Sequence, residues 1–441
     1  MDSATANIYA VPDRREYQIG LEIMSQKLIV TNIMHNQKEY TACALYEENR
    51  LLEVSLQPSF RQTEAAGGEC GRSNASSETK PGTSGILGNI YVGRVKDIVK
   101  NLNAAFIEIA PGVPCYYSLE DLQNPVFVKK INSPRLVQGD ELLVQVVKES
   151  MKTKPPQVTT NLNFPGKYLA LTTGNRTLGI SKKLDKDTRT RLKSLLEEHK
   201  SPDYGLVVRT NSQSAGEEQI LEELAHLEQQ AKNIVEKAPY QTCFSCMMKQ
   251  KPEFLTSLQN VYTKELEAII TDDQVLYEAM KQFLTEQQQA DLDKLRFYED
   301  TQLPLSKCYS LEVKLEDALR ERVWLKSGGY LIIQPTEAFT VIDVNSGKSA
   351  SKKDVQEHYL KVNLEAAAEI AAQMRLRNIS GIIIVDFIDM VSEEARQQLM
   401  ESLRHFTRQD PIPVQVVDMT KLNLVEMTRK KVKKSLAEQL K

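Results

Sequence analysis

Tryptophan is nearly absent from this 441-residue chain, which holds a single one, and aromatic residues make up only 6% of it. An enzyme that hydrolyses sugars between paired carboxylates also needs an aromatic platform for the rings, which one tryptophan does not supply. Cysteine is scarce as well: six, unevenly spaced, give no disulfide framework and fit a reducing, cytoplasmic setting. No apolar run approaches the roughly 20 residues that a membrane span needs. The N-terminal stretch carries Asp2, Asp13, Arg14, Arg15 and Glu16 where a secretory signal would have its apolar core, so none is expected. Nor is there an excess of positive charge, since 56 Lys and Arg stand against 59 Asp and Glu, a formal net charge of −3. A protein built to package nucleic acid is thereby excluded, and any nucleic-acid contact has to be local.

What is present is length enough for several domains and one unusually informative stretch, Glu337 to Met390. Ala338–Val344 is β-branched and aromatic enough for a strand, and Asn345-Ser346-Gly347 is a turn cluster that stops it. Asn363–Arg377 spaces Leu364, Ala367, Ala368, Ile370, Ala371 and Met374 as a helix does. Ile382–Val385 is a continuous apolar run that suits a strand buried on both faces. Two strands joined through a helix are expected to be adjacent and parallel. Asp343 and Asp386, each near the end of its strand, would then converge at one sheet edge, where open α/β sheets place their ligands. Asn345 points the same way if the strand continues. Two carboxylates and an amide oxygen form a hard-oxygen site suited to Mg²⁺. The plain alternative is that each Asp is only a turn former at a strand end.

The wording around these residues resembles the ribonuclease E/G family. Ser327-Gly-Gly, Thr336-Glu-Ala, Ile342-Asp-Val-Asn-Ser, Asn363-Leu-Glu-Ala-Ala, Gln373-Met-Arg-Leu-Arg and Val385-Asp-Phe-Ile-Asp-Met occur in the family's order and at similar spacing. The resemblance implies that Asp343 and Asp386 are catalytic and hold Mg²⁺, with Asn345 supporting them. It implies endonucleolytic hydrolysis of single-stranded RNA to 5′-phosphate and 3′-hydroxyl ends, in the processing of ribosomal RNA precursors or the decay of messenger RNA.

The same resemblance organises the remainder into a multidomain α/β chain with an inserted OB-fold β-barrel. Residues 1–26 form a peripheral leader, and 59–85, a Gly/Ser/Thr/Glu stretch holding Cys70, is a flexible loop. Lys27–Asn32, Tyr40–Tyr46 and Arg50–Leu56 read as a strand meander. With 251–317, taken as mostly helical with a strand near Cys308–Leu315, segment 27–58 would form a ribonuclease-H-like subdomain. Short strands over 86–160 suggest a small barrel, and the resemblance makes it an S1-like OB fold with Phe106 and Tyr116 as stacking aromatics and Lys154 as a basic RNA contact. Either ring could instead be core. Residues 161–250, with helices over Lys186–His199 and Glu217–Lys237, correspond to a 5′-sensor-like domain in which Arg209 and Thr210 bind an RNA 5′-phosphate. A further family arginine of that pocket falls at or next to Pro413. Residues 318–441 correspond to a deoxyribonuclease-I-like catalytic subdomain.

Three further readings complete the sequence picture. Cys243-Phe-Ser-Cys246 lacks the second pair or His cluster of a zinc site, so packed or surface thiols are expected. Met419–Lys441, rich in Lys with Arg429 among them, reads as a basic helix face, either merely solvated or turned to phosphate. Family members continue into a Cys-Pro-x-Cys zinc link that does not follow here, so a homo-oligomer, if formed, is expected to use other contacts. A non-catalytic RNA-binding or ribosome-assembly protein is the rival of a different class, and the intact Asp343, Asn345 and Asp386 argue against it.

Overall fold

The computed structural model describes residues 25–60, 85–131, 133–150, 154–261, 265–347 and 355–440. The leader over 1–24, Cys70 with the loop over 61–84, and Lys441 lie outside the described residues. The chain divides into two compact units, Met1–Ala65 with Glu265–Lys441 and Ala66–Lys264.

The first unit holds two sheets. In one, the strands Gln26–His35, Lys38–Glu47 and Arg50–Pro58 form an antiparallel meander, to which Leu266–Thr271 and Leu295–Phe297 add in parallel. The other is six-stranded, in the order Arg322–Trp324, Tyr330–Pro335, Phe339–Asn345, Gly381–Asp386, Leu424–Arg429, Val414–Met419. Its one parallel pair is Phe339–Asn345 with Gly381–Asp386, joined through the helix Val355–Leu376. Strand side chains alternate between faces, and here Ile333, Ile342, Val344, Ile383, Val385, Val425 and Met427 all turn to one core. The helices Val355–Leu376 and Glu393–Thr407 cover that face with Ala366, Ala367, Ile370, Leu399 and Leu403. The opposite face stays open, with Ile382 half exposed and Asp386 exposed. The run Ile382–Val385 is therefore buried on one face only, because both covering helices lie on the same side.

Two other expectations are corrected in this unit. Cys308–Leu315 is not a strand, since the helices Leu305–Cys308 and Leu311–Leu319 occupy it and bury Leu311 and Leu315 beneath the meander. The basic tail is mostly not helical either. Leu424–Arg429 is a strand, and only Leu436–Gln439 forms a short helix. Arg429 is interior, its guanidinium bound to Asp410 through Nε at 2.8 Å, so it presents nothing to solvent.

The second unit contains a closed five-stranded barrel, consistent with an OB fold. Ile90–Val99, Ala104–Ala110, Val113–Ser118, Gln157–Thr159 and Glu141–Lys148 pair in sequence, and the last returns to the first. Closure leaves no free edge within the ring, and Ile107, Cys115, Tyr117, Leu142, Val144 and Val158 fill it. A four-stranded sheet, Asn163–Pro165, Leu169–Thr172, Gly205–Val208 and Leu178–Ile180, packs under the helices Lys186–His199 and Glu217–Lys237. The helix Glu253–Asn260 also lies in this unit, where Gln259 donates to the Pro165 carbonyl.

Candidate active site

The parallel register sets Asp343 directly opposite Asp386, on neighbouring strands about 4.8 Å apart. Partners in register share a face, and Asp343 is half-buried while Asp386 is exposed, so both carboxylates stand on the open face. Asn345 joins them there, its Nδ2 donating to Asp343 Oδ2 at 2.7 Å. As placed, the amide holds the carboxylate through its nitrogen, which leaves its oxygen for another partner. Burial raises the Asp386 carboxyl above its ordinary range, and the charges of Asp343 and Asp389 raise it further. Such a concentration of negative charge asks for a cation.

Residues that sequence reasoning passed over hold this arrangement rigid. Asn363, buried in the Val355–Leu376 helix, donates to the Ile388 carbonyl and accepts from the Ile388 N–H, at 2.8 and 3.1 Å. That reciprocal pair fixes the turn between Asp386 and Asp389. Asp389 in turn accepts from Asn423 Nδ2 at 2.9 Å. Glu365, two residues further along the same helix, accepts from the Lys326 and Ser327 N–H groups. The signal available was a buried Asn and Glu inside an otherwise apolar helix pattern, since buried polar groups find partners. The glycines of Ser327-Gly-Gly and Asn-Ser-Gly347 serve one close approach of two backbones. A Cβ on Gly347, whose φ is +69°, would lie 2.4 Å from the Gly328 carbonyl oxygen.

The other candidate residues belong to the second unit. Phe106 and Tyr116 are register partners on the outer wall of the barrel, half-buried, their rings 6.4 Å apart and edge to face. Tyr117, not Tyr116, fills the barrel interior. Lys154 is exposed, two residues before Pro156, whose carbonyl accepts from the Tyr116 N–H. Arg209 and Thr210 follow the strand Gly205–Val208. Arg209 gives Nη1 to the Gly166 carbonyl and Nη2 to Asn260 Oδ1, and burial lowers its pKa. Thr210 Oγ1 lies 3.3 Å from Ser181 Oγ. Glu223 braces the facing loop by accepting from the Lys167, Tyr168 and Leu169 N–H groups. Cys243 and Cys246 are half-buried, and Cys246 sits in a short strand beside the barrel. Among the described residues no cluster of three or more His, Cys, Asp or Glu could hold a metal, and no helix is long and apolar enough to cross a membrane.

The chain thus carries a carboxylate pair on an open sheet face and, in its other unit, a small closed barrel. Residues 163–432 match the Ribonuclease E/G family. Ribonuclease G of Escherichia coli (strain K12) is 33% identical over 368 residues, covering 80% of this chain and 74% of that protein. Ribonuclease G of Haemophilus influenzae is 33% identical over 363 residues with the same coverage. Ribonuclease E of Nostoc sp. is 34% identical over 360 residues, which are 80% of this chain and 52% of that longer protein. The chain belongs to the ribonuclease E/G family.

Proposed function

We propose that this chain is a Mg²⁺-dependent endonuclease of single-stranded RNA, working in the cytoplasm in the processing of ribosomal RNA precursors and the decay of messenger RNA. The observation that carries the reading is the pairing of Asp343 with Asp386 across parallel strands on an uncovered face. An open face admits a long polymer, and two facing carboxylates with room for water suit Mg²⁺, which keeps several of its waters. A bound Mg²⁺ would supply a Lewis acid that activates water and offsets the charge developing at phosphorus. Asp343 and Asp386 would hold the ion, and Asn345 would keep Asp343 aimed by its 2.7 Å hydrogen bond. Water oxygen bonds to phosphorus as the bond from phosphorus to the 3′-oxygen breaks. The 3′-oxygen leaves as a hydroxyl, and the phosphate stays on the downstream 5′ end. In this reading the chain has a ribonuclease-H-like part (27–58 with 251–317, of which 251–264 fall in the second unit) and a deoxyribonuclease-I-like part (318–441). The test is incubation of the purified chain with a fluorescent single-stranded RNA, with Mg²⁺ and with EDTA. Internal cuts that need Mg²⁺ and leave 5′-phosphates support the reading, and RNA bound but left intact favours a non-catalytic RNA-binding protein.

Phe106, Tyr116 and Lys154 are proposed to grip the strand, since exposed aromatics beside a cation suit stacked bases. Replacing Phe106 and Tyr116 by Ala should weaken single-strand binding by about 1–3 kcal/mol per lost stack. Circular dichroism should show the fold unchanged, because neither ring is part of the barrel interior. Unchanged affinity in an intact barrel would remove both residues from the RNA path.

Arg209 and Thr210 are proposed to receive the RNA 5′-phosphate. Two of the guanidinium's donors are already used by Gly166 and Asn260. Pro413, which stands at or next to a family arginine position, offers neither charge nor N–H. A charge-assisted bond of roughly 1.5–3 kcal/mol is therefore missing from the grip. RNA with a 5′-monophosphate should be cut in preference to 5′-hydroxyl RNA, but less strongly than by members with the full set. The kcat/KM ratio of the two substrates should fall towards one in Arg209→Ala, and a ratio that survives that change sinks the pocket.

A further inference from the structure

The open face continues past the carboxylates to an edge where the chain's only tryptophan stands. In the register of the sheet, Trp324 pairs with Tyr330 and Tyr330 with Asn345, while Arg322 pairs with Ile332 and Ile332 with Asp343. Trp324, Tyr330 and Arg322 thus share the carboxylates' face, Tyr330 one strand spacing from Asp343's strand and Arg322 and Trp324 two, or roughly 5 and 10 Å. The three side chains form one cluster. The indole and phenol rings lie 5.3 Å apart, and the Arg322 guanidinium sits over both, 5.6 Å from the first and 4.6 Å from the second. Core packing does not explain it, because Trp324 is 64% exposed and the inward residue of its strand is Val323.

A groove of about 850 Å³ lies at the same edge, beside the end of the covering helix: Arg50, Lys314, Arg320 and Arg322 bring cations to it, Leu51, Val323 and Leu376 apolar surface, and Asp317 is the single acid among its lining residues. Arg50 and Arg320 are more than half exposed and hold only surface ion pairs, with Glu369 and Asp317. Such pairs are weak and exchange readily for a phosphate.

An aromatic platform with a flanking guanidinium, next to a cationic groove, is the chemistry that binds single-stranded nucleic acid without reading its sequence. We propose that Arg322, Trp324 and Tyr330 form a base-stacking platform for the RNA strand beside the scissile phosphate, with the groove of Arg50, Lys314 and Arg320 taking the phosphates beyond it. This rests on the endonuclease reading of Asp343 and Asp386. The platform's part is positioning: a stacked base holds the strand so that the phosphate between the carboxylates does not slide along the face.

The single tryptophan makes the test specific, since all indole emission of the full chain reports position 324. The Asp343→Asn chain, which cannot degrade its ligand, is titrated with an unstructured oligouridylate. Emission should be quenched saturably, with the same midpoint as the anisotropy of the labelled RNA. In the otherwise wild-type chain, Trp324→Ala should raise KM about tenfold, the scale of one lost stack, with kcat little changed. Trp324→Phe should recover most of the loss. If the wild-type chain cuts RNA in Mg²⁺ while indole emission stays constant at saturation, or if Trp324→Ala leaves KM unchanged, the platform is overturned. If RNA quenches the indole but the wild-type chain never cuts, the endonuclease reading fails while the platform stands. Because the titration uses the native tryptophan, a Trp324→Ala chain that fails to fold does not shelter the proposal.

Discussion

An Asp343→Asn chain should bind single-stranded RNA almost as the wild type does and cut it at least about a thousandfold more slowly, a loss of roughly 4 kcal/mol of transition-state stabilisation. Asp386→Asn should do the same. The substitution keeps the shape of each side chain and removes its charge, so the strand register Asp343↔Asp386 has no reason to change. What changes is the electrostatics. Burial, Asp343 and Asp389 together raise the Asp386 carboxyl, and a cation beside it would favour its ionised form. An amide at either position halves the charge that would hold Mg²⁺. Binding should survive because the proposed grips, Phe106, Tyr116 and Trp324, are elsewhere on the chain. Asn345→Ala should cost less, about 10–100-fold, the range for a residue that orients a metal-holding ligand. Single-turnover cleavage alongside RNA anisotropy separates the two effects. If either Asp variant cuts at a near wild-type rate in Mg²⁺, the carboxylates have been misassigned.

How far the residues themselves disclosed the structure depends on how local the deciding forces are. The helices Lys186–His199 and Glu217–Lys237 were legible because their apolar spacing and caps lie within the segments. Asp185, for example, caps the first by accepting from the Thr188 N–H. The facing of Asp343 and Asp386 was legible for a different reason, since a strand–helix–strand run leaves few topologies. The failures share a non-local cause. Nothing within Ile382–Val385 says that both covering helices choose one side, so the open face could not be read from it. The exposed edge at Trp324 was illegible because a lone aromatic reads equally well as core. In the C-terminal segment, Val425, Met427 and Arg429 alternate inward as a strand should, but an arginine at the third position hid the period. Its partner Asp410 lies 19 residues earlier.

That arginine carries the largest expected effect on stability. The Arg429 and Asp410 side chains are only 2% and 4% exposed. The guanidinium meets the carboxylate twice, Nε to Oδ2 at 2.8 Å and Nη2 to Oδ1 at 3.2 Å. Nη1 donates to Asn378 Oδ1 at 2.6 Å and to the Ile379 carbonyl at 3.1 Å. One side chain therefore ties the Leu424–Arg429 strand to the turn after Val355–Leu376 and to the loop after Glu393–Thr407. Arg429→Met leaves the Asp410 carboxylate buried and short of its cation, which should cost about 3–5 kcal/mol. For a cooperative unit of this size that is a fall of roughly 10 °C in Tm. Asp410→Leu should cost a similar amount, since it strands the guanidinium instead. The double variant should recover much of the loss, because two apolar groups of similar volume need neither partner. The sum of the single losses should thus exceed the double loss by at least about 1.5 kcal/mol. Below its transition, each variant should cut RNA at the wild-type rate per folded molecule, since Arg429 pairs with Gly381 at the end of its strand farthest from Asp386. Urea melts of the four proteins measure the cycle, and single losses under about 1 kcal/mol would show that water reaches the pair and that it does not lock this corner of the sheet.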